Sequence, residues 1–287
     1  MKQKQLTTEE ADAFLTKLLR ETQGVVPPVC LWGQHGIGKT TLVHSLAERW
    51  DWPIQVIHPA QFEEMGDLLG LPYQQSENGA PVSQFAPPAW VPRTVGPGIL
   101  LIDDFNRADD RIIRGLMALL QERRLVSWSL PANWHIILTA NPDRSHYSVT
   151  PIDDAVLSRM LHLSIKFEHH AWVNWAKGQE LPSIGIDFIL QHPEQMDGQE
   201  TTARTFTYFL ELWQQTAGGQ LDDAFIAQLA YSCLSPQTAQ AFLTFLPHHG
   251  SYIFSPKDIL DDFDAAKTDQ VLKSWLNETV PQMGRIS

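Results

Sequence analysis

The sequence predicts an α/β domain, a parallel sheet with helices on both faces, followed by an all-helical region. Three observations carry this reading. Apolar runs too short to be helices alternate with helical patterns as far as about Phe167. Several of these runs are apolar on both faces, as buried parallel strands are. Beyond Phe167 only helical periodicity remains. The predicted division is residues 1–167 for the α/β domain and 168–287 for the helical region.

Thr7 with Glu10 makes a capping box, and Phe14, Leu15, Leu18 and Leu19 share one face of the helix it opens, which ends before Gly24. Val29 to Trp32, after two prolines, reads as a buried strand, and Thr41 to Trp50 as a helix behind a glycine-rich turn. Ile54 to Pro59 is a second strand. The stretch from Gln61 to Gly98 reads as one long irregular loop, and long loops in compact domains are usually functional. Gly98 to Phe105 is a strand candidate, apolar and then acidic toward its end, and Asp109 to Glu122 a helix. Arg124 to Trp134 resembles a hairpin arm, and His135 to Pro142 is another strand ending in polar residues. Helical patterns then follow at 171–179, 186–196, 202–215, 221–234, 238–246 and 269–280.

Composition narrows the function classes. With 43% hydrophobic and 19% charged residues in 287, the chain can bury a core and is not of disordered type. Its formal charge of −12 lacks the basic footprint of a general nucleic-acid binder and favours a protein partner. Two cysteines, Cys30 and Cys233, make neither a disulfide framework nor a zinc site. The sequence offers no signal core and no membrane span, so a cytoplasmic protein is expected.

The chemistry begins at Gly33-Gln34-His35-Gly36-Ile37-Gly38-Lys39-Thr40, which satisfies the pattern G-x-x-x-x-G-K-[ST]. Glycines let backbone amides wrap a phosphate chain, and the following helix, from Thr41 on, turns its N-terminus toward the anion. Lys39 is expected to hold the β- and γ-phosphates, and Thr40 to place its hydroxyl on Mg²⁺. Asp103, at the carboxyl end of an apolar strand, is a second metal-site candidate. Asp104 next to it is placed to orient or deprotonate an attacking water.

The combination GQHGIGKT, ILLIDDFNRAD, ILTANPD and DDAVLSRM resembles the AAA+ ATPases of the MoxR type, close to the dynein-related AAA+ group, over residues 25–215. The resemblance implies a P-loop NTPase sheet (the AAA+ core) with an all-α lid, ATP and Mg²⁺ as cofactors, and a ring, with a hexamer favoured. It implies that Asn141 senses the γ-phosphate, that Arg159 is a finger reaching the neighbouring subunit's ATP, and that Arg204 is the lid arginine. It places Asn106 and Arg107 at a subunit interface or a helix cap. It implies that the segment from Met65 to Trp90 and the hairpin at Arg123 to Trp134 face a pore or a partner. Tyr73, Phe85 and Trp128 are then contact or core residues. A client protein is implied, in this group often with a von Willebrand factor A domain.

Two departures from the family matter. Ala203 stands where relatives carry proline, and Asp104 stands where they carry glutamate. A carboxylate retracted by roughly 1.3 Å predicts slow or partner-dependent hydrolysis, because a misplacement near 1 Å costs about a hundredfold in rate. The leading expectation is an ATPase that remodels a partner protein. An ATP-dependent scaffold that hydrolyses little, a DNA-directed motor and a small-molecule kinase are the alternatives.

Overall fold

In the computed structural model, residues 4–142, 150–196, 200–216 and 223–249 are described, so the helical pattern at 269–280 lies outside them. A short strand β1 (Gln5–Leu6) leads into α1 (Thr8–Thr16). Thr7 accepts from the Glu10 amide while Glu10 reaches back to the Thr7 amide, which is the capping box the sequence announces.

The chain continues through β2 (Val29–Trp32), α2 (Lys39–Trp50) and β3 (Ile54–Ile57). Helix α2 starts two residues earlier than its apolar pattern, because Gly38 in the left-handed region caps it and Lys39 is already helical. After α3 (Met65–Leu69), strands β4 (Leu71–Glu77) and β5 (Ala80–Ala86) pair antiparallel over their whole length. The stretch from Gln61 to Gly98 is therefore no featureless loop. Asn78 and Gly79 both take positive φ (54° and 82°), the two-residue turn that an Asn-Gly pair favours between strands. Every residue of β4 is exposed, so apolar alternation could not reveal it.

Strand β6 (Gly98–Ile102), α4 (Asp110–Glu122), the small hairpin β7 (Arg124–Leu125) with β8 (Trp128–Ser129), and β9 (Trp134–Ala140) follow. Asp109 caps α4 by accepting from the Arg111 amide at 2.9 Å. Trp128 is buried in the core, which decides its role for packing, while Tyr73 is 45% exposed. A short helix α5 (Asp154–Leu157) and strand β10 (Leu161–Ile165) complete the α/β part. The apolar pattern alone does not flag β1, α5 or β10, which are short and only partly buried.

The main sheet has the order β1-β10-β2-β9-β6-β3, and all its pairings are parallel. Strand alternation sorts its side chains into two cores. Leu100, Ile102, Ile136 and Leu138 point to the face covered by α4. Ile99, Leu101 and Ile137 point to the face covered by α1 and α2. Each fully buried Leu or Ile contributes about 1.5–3 kcal/mol. In this order β2 and β9 lie side by side and β6 adjoins β9, so their carboxyl ends open onto one edge.

The helical region comprises α6 (His169–Gly178), α7 (Ser183–Gln191), α8 (Ala203–Thr216), α9 (Asp223–Cys233) and α10 (Pro236–His249). Its core is aromatic, with Phe188, Phe206, Phe209 and Phe242 fully buried and the rings of the first three each in contact with that of Phe242. Among the described residues no helix is long and apolar enough to cross a membrane.

Candidate functional site

The phosphate-type loop leaves β2 at Trp32 and enters α2 at Lys39. Gly33 is locked against the strand edge, its amide donating to the Ala140 carbonyl at 3.2 Å. A Cβ there would lie 2.5 Å from Ile37 Cδ1 and 2.9 Å from the Ile165 carbonyl, so only glycine fits. Gly36 has φ +72°, and a Cβ on it would stand 2.9 Å from Thr202 Oγ1 of the helical region. Thr202 in turn caps α8, accepting from the Thr205 amide at 3.3 Å. The loop is thus pressed between the sheet edge and the start of α8.

Lys39 is buried, and its ammonium donates to Gly33 O at 2.8 Å, Gln34 O at 2.9 Å and Asn141 Oδ1 at 3.0 Å. All three protons are satisfied, two by loop carbonyls and one by Asn141 beyond the end of β9. Burial nevertheless draws its pKa down to about 8, against the opposing pull of Asp104 and Asp103. His35 is also held below its ordinary value, by burial first and by the Arg204 charge second.

The two acids at the end of β6 have different surroundings. Asp103 Oδ1 accepts from Thr40 Oγ1 at 2.8 Å and Thr139 Oγ1 at 2.7 Å, and its Oδ2 lies 3.7 Å from His58 Nδ1. Asp104 sits in the left-handed region (φ 50°). Its Oδ1 accepts from Asn141 Nδ2 at 2.8 Å and its Oδ2 lies 3.6 Å from Arg107 Nε. Asn141 therefore links Lys39 to Asp104 through the two ends of one amide.

Asn141 is itself pinned. Its amide donates to Asn106 Oδ1 at 3.2 Å, and Asn106 Nδ2 donates back to its carbonyl at 2.7 Å. Asn106 is only 2% exposed, so it is a buried brace of Asn141; the interface and helix-cap roles considered from the sequence do not describe it. Arg107 faces the cavity beside Asp104. Thr139 was not singled out by motif, yet it is fully buried and serves both acids, accepting from the Asp104 amide at 2.8 Å. Its position on β9, two residues before Asn141, is the signal that points to it.

These groups open into a cavity of about 730 Å³ between the sheet edge and the helical region. The loop from His35 to Thr41, Asp103, Asp104, Asn141 and Arg204 line it, while Phe167, Trp172, Trp175 and Tyr208 form the opposite wall. Arg159 stands elsewhere: its Nε donates to Gln121 Oε1 at 2.9 Å, its Nη1 donates to the Ala155 carbonyl, and it does not line this cavity. Among the described residues no cluster of three His, Cys, Asp or Glu side chains forms a ready-made metal site. A magnesium ion needs none, because it keeps waters and takes substrate phosphates with one or two protein oxygens. The Thr40 hydroxyl and the Asp103 carboxylate, already 2.8 Å apart, fit that requirement.

The chain is similar to several known proteins. Residues 28–160 match the AAA domain model of the dynein-related subfamily. Midasin of Giardia intestinalis is 26% identical over 186 residues, which cover 59% of this chain and 4% of that much longer protein. The solved Thermotoga maritima RuvB Holliday junction branch migration motor is similar at 14% identity and TM-score 0.45, covering 78% of this chain and 68% of its own. A point mutant of the same Thermotoga protein gives 15% identity and TM-score 0.48, covering 78% and 69%. With a parallel sheet, a glycine loop and an acid-ended strand in one register, residues 28–160 are similar to the AAA domains of the dynein-related subfamily.

Proposed function

We propose that this chain binds ATP with Mg²⁺ and hydrolyses it to remodel or activate a partner protein, acting as a ring, with six subunits as the favoured number. The convergence of Lys39, Thr40, Asp103, Asp104 and Asn141 on one cavity supports this reading more than any other observation. Lys39 and the loop amides bind the phosphates, and Thr40 with Asp103 holds the metal, which when bound offsets phosphate charge. Asp104 orients the attacking water, and Asn141 reports whether a γ-phosphate is present. Arg204, on the second residue of α8, carries that report into the helical region, which works as a lid. Arg159, outside its own cavity, serves a neighbour's site as a finger.

The partner is a protein, in keeping with the −12 charge, and a von Willebrand factor A domain protein is the first candidate. A second reading, an ATP-driven scaffold that turns over slowly, draws on one observation. Both carboxylate oxygens of Asp104 already face protein donors, Asn141 and Arg107, on a side chain one methylene shorter than glutamate.

Calorimetry and light-scattering mass, each with ATP-Mg²⁺, with ADP and without nucleotide, test the proposal. The wild type is expected to take up ATP and enlarge. Lys39→Ala should lose uptake by on the order of a hundredfold, the worth of two charge-assisted hydrogen bonds. Arg159→Ala should abolish turnover while nucleotide uptake stays within about threefold. An unchanged affinity in Lys39→Ala sinks the proposal. Brisk hydrolysis by wild type alone, with no gain in Asp104→Glu, removes the scaffold reading.

A further inference from the structure

Trp32 is the last residue of β2, and the phosphate-type loop begins at the next residue. Its indole Nε1–H donates to His162 Nδ1 at 2.9 Å. The other ring nitrogen of His162, Nε2, lies 2.9 Å from the Leu157 carbonyl oxygen. An indole nitrogen only donates and a carbonyl only accepts, so the two contacts fix the ring with its hydrogen on Nε2. A hydrogen-bonded line thus runs from the root of the loop, through β10, to the end of α5. It stops two residues short of Arg159, whose guanidinium is held by Gln121 and the Ala155 carbonyl. The Trp32 ring also meets Phe105, next to Asp104, edge-on at 6.3 Å.

We infer that His162 is a positioning residue that ties the placement of Arg159 to the state of its own subunit's nucleotide site. The inference rests on the proposed role of Arg159 at a neighbour's ATP. Lys39 donates to the Gly33 carbonyl, one residue beyond Trp32. When its ammonium turns to phosphates, that carbonyl loses its partner and the root of the loop is free to shift. Trp32 adjoins that root and, through Phe105, the turn after the two acids. His162 accepts at one end and donates at the other, so a displacement of the indole passes to the Leu157 carbonyl and to the turn that carries Arg159. A subunit then offers its arginine according to what its own site holds.

The test mixes full-length variants in the presence of ATP-Mg²⁺. Arg159→Ala keeps a nucleotide site and lacks the arginine, while Asp104→Asn keeps the arginine and fills a site that cannot attack. Neither should turn over alone, and the mixture should, at Arg159→Ala sites facing Asp104→Asn neighbours. Trp32→Phe keeps a ring against Phe105 and removes the indole donor. Added to the Asp104→Asn partner, it should lower mixed turnover about tenfold. Added to the Arg159→Ala partner, it should leave turnover within about threefold, an asymmetry that simple support of the loop does not produce. His162→Phe should repeat the asymmetry, and His162→Gln, which keeps one acceptor and one donor, should restore turnover. Hydrogen exchange of the nucleotide-free single variants should show residues 154–161 exchanging faster in Trp32→Phe and His162→Phe than in wild type, with α2 unchanged. If the plain mixture stays inactive, the arginine reading fails and this inference with it. If the mixture turns over but both partners respond equally to these changes, or neither does, or exchange at 154–161 is unaltered, the His162 assignment alone is overturned.

Discussion

On the sheet side of the cavity, side chain holds side chain: Lys39 to Asn141, Asn141 to Asp104, and Thr40 and Thr139 to Asp103. On the helical side the wall is held by packing. Trp172 meets Phe206 at a centroid distance of 5.7 Å and spends its one polar atom on Thr207. Phe206 in turn stacks on Phe188 and meets Phe242. Directional bonds fix atoms to tenths of an ångström and suit chemistry on phosphates. Packed rings fix a surface while leaving it able to slide as a unit. The first wall is suited to reacting, the second to moving.

The largest expected effect tests whether the second wall can fail by itself. Phe206→Ala empties the centre of the aromatic core, and a buried Phe→Ala change costs about 3–5 kcal/mol. Hydrogen exchange should show protection lost in α6, α7, α8 and α10 while β2, β6 and β9 keep theirs. If the sheet strands lose protection to the same extent, the two walls are one cooperative unit and the contrast drawn above is wrong.

The same contrast explains what the sequence made legible. Gly33, Lys39, Thr40 and Asp103 were readable because backbone geometry and charge allow few other residues there, and the structure brings them together as the spacing implied. The helical wall was readable only as helices. Which aromatic faces the cavity depends on how the helices pack, and many aromatic arrangements satisfy the same periodicity. Asn106 failed for a different reason: an Asn after an acidic pair looks like a cap or a surface residue, and only the closeness of the β9 end to the turn after β6 buries it against Asn141. The β4–β5 ribbon was legible in principle through its Asn-Gly turn but had no apolar face to announce it.

A smaller effect examines the sheet wall. Asn106→Ala removes both bonds to the Asn141 backbone and leaves two buried polar groups unpaired, a loss of about 1–3 kcal/mol. Thermal unfolding should register that cost. Turnover should fall about tenfold or more, since Asn141 no longer holds Asp104 in register, while ATP affinity changes by less than about threefold. Equal losses in affinity and turnover would mean that Asn106 supports the loop as a whole and not Asn141 in particular.

The smallest effect is set by pH and has two opposite slopes. The folded chain holds the Lys39 pKa at about 8, below the ordinary 10.5, because burial disfavours the ammonium. Between those values the unfolded chain keeps a proton that the folded chain has released, so this group's contribution to stability rises with pH across the window. Nucleotide binding runs the other way, because a triphosphate needs the ammonium. Above pH 8 binding must first restore that proton, and affinity should fall by up to tenfold per pH unit. Calorimetry between pH 7 and pH 9.5, in buffers of different ionisation enthalpy, should detect proton uptake on ATP binding that grows through pH 8. Thermal unfolding of the free chain over the same range isolates the opposite slope, since Lys39→Met should flatten it. Should ATP affinity stay constant to pH 9.5 with no proton taken up, Lys39 is fully charged before the nucleotide arrives. The three acceptors around its ammonium would then outweigh the cost of burying it.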